Sequence, residues 1–180
     1  MTRASDRYSL ASIILHWLML ALIVGAYAAI EFREFFPKES APREMLKTWH
    51  FTLGLSVLVL VWMRIAARLV WKPPASFDEG PIWQQRAAHL AHLALYAFMI
   101  GMPIAGWVLL SAEGKSIPFF GLELPSLVAQ NGRLAEQAEE THKLGGTLGY
   151  WLIGLHAATS LFHHYVLHDH VLTRMIPRKA

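Results

Sequence analysis

The chain has 180 residues, no cysteine and a hydrophobic fraction of 54%, which exceeds the roughly 45–50% that is usual for soluble domains. Without cysteine, disulfides, thiolate metal sites, iron–sulfur ligation and covalent C-x-x-C-H attachment of a cofactor are excluded. The net charge of +3 is too small to indicate nucleic-acid binding, and the chain carries no nucleic-acid-binding motif.

The first apolar segment covers residues 10–30 and carries His16 one to two turns from its start. A bilayer core of about 30 Å requires roughly 20 apolar residues in a helix, so this segment is predicted to span a membrane. A cleaved signal peptide is the competing interpretation, because the start is basic and residues 26–28 resemble a cleavage site. Three more apolar segments follow, and they favour a spanning helix.

The second span is predicted over residues 48–70, with His50 at its beginning. Arg64 and Arg68 lie one turn apart near its other end, where long basic side chains reach towards lipid headgroups. The residues that follow are rich in proline, glycine and acidic side chains, so we predict an irregular loop over residues 72–85.

The third span is predicted over residues 87–110. His89 and His92 stand at its beginning, where a headgroup or capping role is expected, and Pro103 predicts a kink. A polar connection follows, within which residues 124–140 are compatible with a short interfacial helix.

The fourth span is predicted over residues 143–167 and is distinguished by its histidines. His142 and His156 are separated by close to four helical turns, so they lie on nearly the same face, roughly 21 Å apart along the axis. Histidine is costly at such depth unless it pairs, ligates or lines a path. Glycines occur between them, and glycine lets a bulky group or another helix approach the backbone closely. They are Gly145, Gly146, Gly149 and Gly154.

These segments predict an all-α protein, an integral membrane four-helix bundle that forms a single domain over residues 1–180. Four antiparallel spans place both termini on one side of the membrane. Lys and Arg are slightly more numerous on that side, so both termini are predicted to be cytoplasmic.

Matched depth then decides which histidines can meet. His16 and His156 fall in the cytoplasmic half of the bundle, whereas His50 and His142 fall at the outer ends of their helices. Each pair could hold a flat macrocycle from its two sides. Zinc usually takes three or four protein ligands, and each depth offers two, so the pattern favours the iron of a haem. An iron with two axial imidazoles has no open position, which favours electron transfer.

The chain also resembles the bacterial cytochrome b561 family over nearly all of its length. The segments that carry the resemblance are ILHW at His16, EFREFFP at residues 31–37, His50 followed by Gly54, HLAHL at residues 89–93, the block 141–165 and the tail RMIPRK. The resemblance implies a multi-pass protein of the bacterial inner membrane that binds two b-type haems. The axial iron ligands that it implies are His16, His50, His142 and His156.

The resemblance further implies oxidation of superoxide to oxygen, with ubiquinone as the electron acceptor. Basic residues predicted at the outer surface are candidates for attracting the superoxide anion: Arg33, Lys38, Arg43, Lys47, Lys115 and Lys143. The candidates for the quinone site are Arg64, His89 and His163.

Two alternatives remain open at this point. The chain could instead be a cytochrome b anchor subunit that passes electrons from a docked dehydrogenase or hydrogenase to quinone. It could also be a histidine-lined metal transporter, although the spans lack the acidic residues expected of one. The expected surroundings are membrane lipid, ubiquinone and superoxide, and a redox partner protein or a homodimer is compatible with the sequence.

Overall fold

The computed structural model of the protein describes residues 7–71 and 81–176. Most of the predicted loop, residues 72–80, lies outside this range. The described chain forms four long helices and a small hairpin between the last two. The helices are α1 (Leu10–Phe32), α2 (Ala41–Val70), α3 (Ile82–Glu113) and α4 (Gly132–Tyr165).

Three helices, α2, α3 and α4, begin earlier than predicted. α2 starts at Ala41 rather than at residue 48, with Pro42 in its first turn, where the missing N–H of proline costs no hydrogen bond. α3 starts at Ile82 rather than at residue 87 and is helical on both sides of Pro103. The polar residues before each apolar segment therefore extend the helices beyond the apolar core.

α4 also begins earlier, at Gly132 rather than at residue 143. The side chain of Asn131 accepts a hydrogen bond from the Leu134 N–H at 3.1 Å, which satisfies one of the unpaired donors of the first turn. The separate interfacial helix predicted over residues 124–140 is wrong, because its second half forms the first turns of α4.

A short antiparallel hairpin that was not predicted follows α3. It consists of β1 (Ile117–Phe119) and β2 (Leu122–Leu124), with Ile117 opposite Leu124. Its turn residues Phe120 and Gly121 have φ values of 49° and 80°. Ile117 is only 2% exposed and packs against α2 and α3, so the hairpin covers one end of the bundle.

Three stretches of the described chain are long and apolar enough to cross a membrane: Leu10–Phe35, Ala41–Val70 and Ile82–Glu113. α4, with 34 residues, is long enough as well, but its histidines and charged residues make it more polar. Large apolar side chains are exposed on the outer faces of the bundle, among them Leu93 at 66% and Trp151 at 77%. A lipid-embedded bundle has such a surface, because lipid tails are as apolar as these side chains.

The helices pack as two helical hairpins: α1 and α2 form the first hairpin, and α3 and α4 form the second. Contacts between α2 and α3 join the two helical hairpins. Met19, Val57 and Val61 form the buried core of the first hairpin, and side chains of α3 pack against it. The backbone of α4 comes close to that of α1 or α2 at few places. Side chains therefore bridge the space between α4 and the first helical hairpin.

Both ends of the described chain lie at one end of the bundle. The Trp17 indole N–H donates to the Met175 carbonyl at 2.7 Å, and Arg7 donates to the Ile176 carbonyl at 3.3 Å. We call this the inner end and the opposite one the outer end, following the predicted orientation.

Candidate functional site

Two pairs of histidines cross the space between α4 and the first hairpin. At the outer end, the ring centroids of His50 and His142 are 6.0 Å apart. Towards the inner end, those of His16 and His156 are 6.3 Å apart. All four side chains are half-buried. The structure thus brings the four proposed ligands together in two pairs, which the unbroken α4 separates by about 21 Å along its axis.

The spacing within each pair suits a single metal ion between two imidazoles. Metal–nitrogen bonds of about 2 Å, with about 1 Å more to each ring centre, would place the two centroids about 6 Å apart. Residues 7–71 and 81–176 contain no cluster of three or more His, Cys, Asp or Glu arranged to hold a metal ion. At this spacing each pair supplies two imidazoles, which fits an iron whose other ligands come from a porphyrin.

The backbone orients both rings of the outer pair. His50 Nδ1 lies 2.9 Å from the Ala26 carbonyl, to which it donates in the tautomer that carries its proton there. Such a bond leaves Nε2 free to bind a metal. The ring of His142 packs on Gly106, where an added Cβ would lie 3.1 Å from Cε1. Met102 lies close to this ring, but the Nδ1 atom of His142 makes no hydrogen bond to any residue that the structure describes.

Two glycines leave open space beside the outer pair. Gly54 follows His50 by one turn, and Gly146 follows His142 by one turn. A Cβ added to either glycine would meet nothing within 4 Å, although neither residue is exposed. A flat group held between the two rings could therefore lie against both backbones.

The other glycines of α4 have different surroundings. A Cβ on Gly145 would clash with Met102, and one on Gly149 would clash with Tyr27 and Phe98. These two glycines allow neighbouring side chains to pack on α4. Gly154 is exposed, with open space around it.

The inner pair has a third imidazole beside it. The ring centroid of His92 is 5.7 Å from that of His156. His92 was predicted at the beginning of the third span, but α3 begins at Ile82, so His92 lies nearly three turns inside the helix. The depth of His92 along α3, counted from Ile82, is the signal that would have identified this residue.

The three candidates for the quinone site have separate partners. The Arg64 guanidinium lies 3.5 Å from the Ser12 carbonyl, one turn before His16. His89 is exposed and pairs with the Gln85 carbonyl at 2.8 Å. His163 pairs with Asp169, beyond the end of α4.

Asp169 is held in place by hydrogen bonds. Partial burial alone raises the pKa of its carboxyl, but hydrogen bonds from the Val171 N–H and from His163 outweigh burial and leave the pKa below its usual value. Asp169 therefore stays ionised at neutral pH and orients the His163 ring.

Most of the outer basic residues pair with carboxylates. Arg33 and Arg43 both contact Glu34, at 2.9 and 3.1 Å. The other ion pairs are Lys47–Glu44 at 2.6 Å, Lys115–Glu113 at 3.0 Å and Lys143–Glu139 at 2.6 Å. Of the six candidates, Lys38 alone has no ion pair within the part of the chain that the structure describes. Cations and anions are thus interleaved at the outer end.

Comparison with known proteins shows that the chain is similar to cytochromes over nearly all of its length. The family model described as Prokaryotic cytochrome b561 matches residues 7–178. Cytochrome b561 homolog 1 of Escherichia coli is 34% identical, over 97% of this chain and 99% of its own length. A Yersinia pestis protein named Probable superoxide oxidase CybB is 37% identical, over 96% of this chain and 97% of its own length. Cytochrome b561 homolog 2 of Escherichia coli is 25% identical over 99% of this chain and 96% of its own length.

Proposed function

Because the chain belongs to the prokaryotic cytochrome b561 family, a family of multi-pass membrane electron carriers, we propose that it oxidises superoxide and reduces ubiquinone. Two superoxide anions each lose one electron and become oxygen, and one ubiquinone takes up both electrons with two protons. The observation that carries the proposal is the presence of two half-buried imidazole pairs, one towards each end of the bundle. The name of the Yersinia pestis relative, Probable superoxide oxidase CybB, supports superoxide as the electron donor.

We place one b-type haem between His50 and His142 and a second between His16 and His156. When bound, the two haems supply one-electron oxidation and reduction, which no side chain in these positions offers. The protein holds the ligands: the Ala26 carbonyl orients His50, and Gly54 and Gly146 leave room beside the outer pair. If both imidazoles of a pair bound the same iron, they would disfavour oxygen binding there and favour electron transfer.

The outer end is the proposed site of superoxide oxidation. Because most cations there are paired with carboxylates, attraction of the anion is weak and short in range. Lys38, which has no ion pair among the described residues, is the candidate that contributes most. The proposal therefore expects a rate that depends only modestly on ionic strength.

The inner end is the proposed site of ubiquinone reduction. His163 and Arg64 lie in the half of the bundle that holds the inner pair, and His89 lies near the beginning of α3. Protons for the product must come from the aqueous side of this end, since lipid supplies none. The Asp169–His163 pair, at the inner end of α4, lies where such protons arrive.

The experiment is a measurement on purified protein in detergent. A pyridine haemochrome assay is expected to give two haems per chain. A superoxide source with a soluble ubiquinone is expected to give one ubiquinol for every two superoxide anions consumed. Superoxide loss no faster than with the same concentration of free haem would contradict the proposal. His170→Ala, which removes an exposed histidine outside the helices, is the control and is expected to behave as the wild type.

A second candidate function is supported by the charge arrangement at the outer end. Interleaved ion pairs and the exposed hairpin side chains Phe120 and Leu122, at 66% and 68% exposure, suit contact with a protein donor better than attraction of a small anion. In this case the chain carries electrons from a docked dehydrogenase or hydrogenase to quinone. Isolated protein would then contain both haems and reduce quinone from a chemical donor, but it would not accelerate superoxide loss.

A further inference from the structure

Arg64 is a charged side chain inside the bundle. It belongs to α2, within a stretch able to span a membrane, and it is half-buried. None of the described carboxylates forms an ion pair with it. Its hydrogen bond to the Ser12 carbonyl is long, at 3.5 Å. A charge at this depth is costly without a partner, so the position calls for an anion.

The place of Arg64 narrows the choice of anion. Ser12 lies one turn before His16, so the guanidinium reaches α1 directly beside the inner histidine pair. It lies within electrostatic range of His16, His92 and His156. An anionic group bound between His16 and His156 would therefore lie within electrostatic range of Arg64.

Arg68, one turn further along α2, has different surroundings. It is exposed, and it contributes with Arg64 and Arg174 to the positive charge around Tyr8. Burial raises the pKa of the Tyr8 hydroxyl, while the three arginines oppose that rise. Arg68 thus carries the same charge as Arg64 near the inner end and also lies within electrostatic range of His92, but it is exposed, which makes it a matched control.

We propose that Arg64 pairs with a propionate carboxylate of the haem held by His16 and His156. This inference rests on the proposed function, since it requires that haem. Haem b carries two propionates, and guanidinium binds a carboxylate through two parallel hydrogen bonds. A lipid phosphate is the other anionic source, but a half-buried side chain beside an axial ligand favours a carboxylate that the cofactor itself brings.

The pairing has a consequence for the inner haem. Without Arg64, the propionate would keep its negative charge with no partner, and this charge would stabilise the oxidised iron over the reduced iron. The midpoint potential of the inner haem would fall, and that of the outer haem, about 21 Å away along α4, would stay the same.

The experiment compares Arg64→Gln with Arg68→Gln in the haem-loaded protein. Redox titration is expected to show the reduced-to-oxidised ratio of one haem falling about tenfold at its wild-type midpoint, or about 59 mV for one electron, in Arg64→Gln only. Resonance Raman spectra are expected to show a displaced propionate-bending band in the same variant. Unchanged potential and band, or equal shifts in Arg68→Gln, would overturn the inference.

Other outcomes separate this inference from the proposed function. A wild type with two haems and full superoxide oxidation, beside an unaltered Arg64→Gln spectrum, contradicts the pairing alone. Loss of quinone reduction with unchanged potential and band would assign Arg64 to the quinone and likewise overturn the pairing. If added anionic lipid changes the midpoint potentials of the wild type but not those of Arg64→Gln, the partner of Arg64 is a lipid headgroup, and the propionate pairing is overturned.

If Arg64→Gln does not retain haem, a variant that keeps the positive charge still tests the pairing. Arg64→Lys preserves the cation but cannot reproduce the two parallel hydrogen bonds. It is expected to retain both haems with a displaced propionate band of the inner haem, and an undisplaced band would contradict the pairing.

Discussion

The outer and inner histidine pairs are alike in spacing but differ in what surrounds them. Around the outer pair, backbone atoms do most of the positioning: the Ala26 carbonyl orients His50, and Gly106 supports the ring of His142. Around the inner pair, side chains dominate, with the His92 ring 5.7 Å from His156 and the Arg64 guanidinium beside His16.

This difference predicts different responses to substitution. A site shaped by backbone contacts has no spare ligand and little tolerance for added volume, because closely packed interiors transmit small changes in shape. A site surrounded by polar side chains has a nearby substitute ligand and responds mainly to changes of charge. The outer pair should thus be sensitive to size and the inner pair to charge.

The largest expected effect is the loss of one haem. His50→Ala is expected to reduce the haem content from two per chain to one, because the described residues offer no other imidazole beside His142. His16→Ala is expected to keep a share of the inner haem with an altered spectrum, since His92 lies close to His156. Haem-to-protein ratios measure both effects. Equal haem losses in the two variants would contradict the predicted difference between the outer and inner pairs. The double variant His16→Ala/His92→Ala is expected to lose the inner haem fully.

The next effect concerns the packing of α4 between the two pairs. Gly149→Ala would drive a methyl group into Tyr27 and Phe98, and overpacking of this kind costs about 1–3 kcal/mol. Gly154→Ala, on the same helix but exposed with open space, is the control and is expected to gain up to about 1 kcal/mol of helix stability. Reversible unfolding in mixed detergent measures both free energies. Equal stability of the two variants would show that Tyr27 and Phe98 do not pack closely on α4.

A smaller and more local effect is expected for Gly106→Ala. The added methyl group would lie 3.1 Å from His142 Cε1, so the His142 ring must shift by a few tenths of an ångström. We expect an altered low-spin electron paramagnetic resonance signal for the outer haem and an unaltered one for the inner haem. Gly101→Ala, on the same helix with open space around it, should alter neither, and a change in the inner signal alone would reverse our assignment of the two sites.

The smallest effect is expected for superoxide attraction. Lys38→Gln is expected to lower the rate of superoxide oxidation by no more than about fivefold, since one unit of surface charge contributes about 1 kcal/mol or less. Lys115→Gln removes a lysine already paired with Glu113 and is expected to have a smaller effect. Rates at low and high salt measure the difference, and a larger effect at Lys115 would show that ion pairing does not decide which lysine acts.

The sequence predicted the central parts of the helices and the proximity of His16 to His156 and of His50 to His142, because apolar length and helical period determine both. It missed the helix starts, where the apolar pattern ends but helical hydrogen bonding continues. His92 shows the consequence: a start misplaced by five residues left it near the membrane surface. Asn131 offered a capping signal for α4 that the apolar pattern concealed.

The hairpin and the packing of individual side chains lay further beyond prediction. Ile117 is buried by α2 and α3, a contact between segments distant in sequence that no local pattern encodes. Similarly, nothing in the local sequence separates Gly145 and Gly149, which contact neighbouring side chains, from Gly146, which leaves open space. Their roles depend on which face of α4 meets α1 and α3.

The account is tested most directly by the electron paramagnetic resonance spectra of four variants: His16→Ala, His50→Ala, His142→Ala and His156→Ala. The wild type is expected to show two low-spin ferric signals. His16→Ala and His156→Ala should change or remove one of them, and His50→Ala and His142→Ala should change or remove the other. If His16→Ala and His50→Ala instead affect the same signal, the ligands are paired differently and the proposed arrangement of the two haems is contradicted.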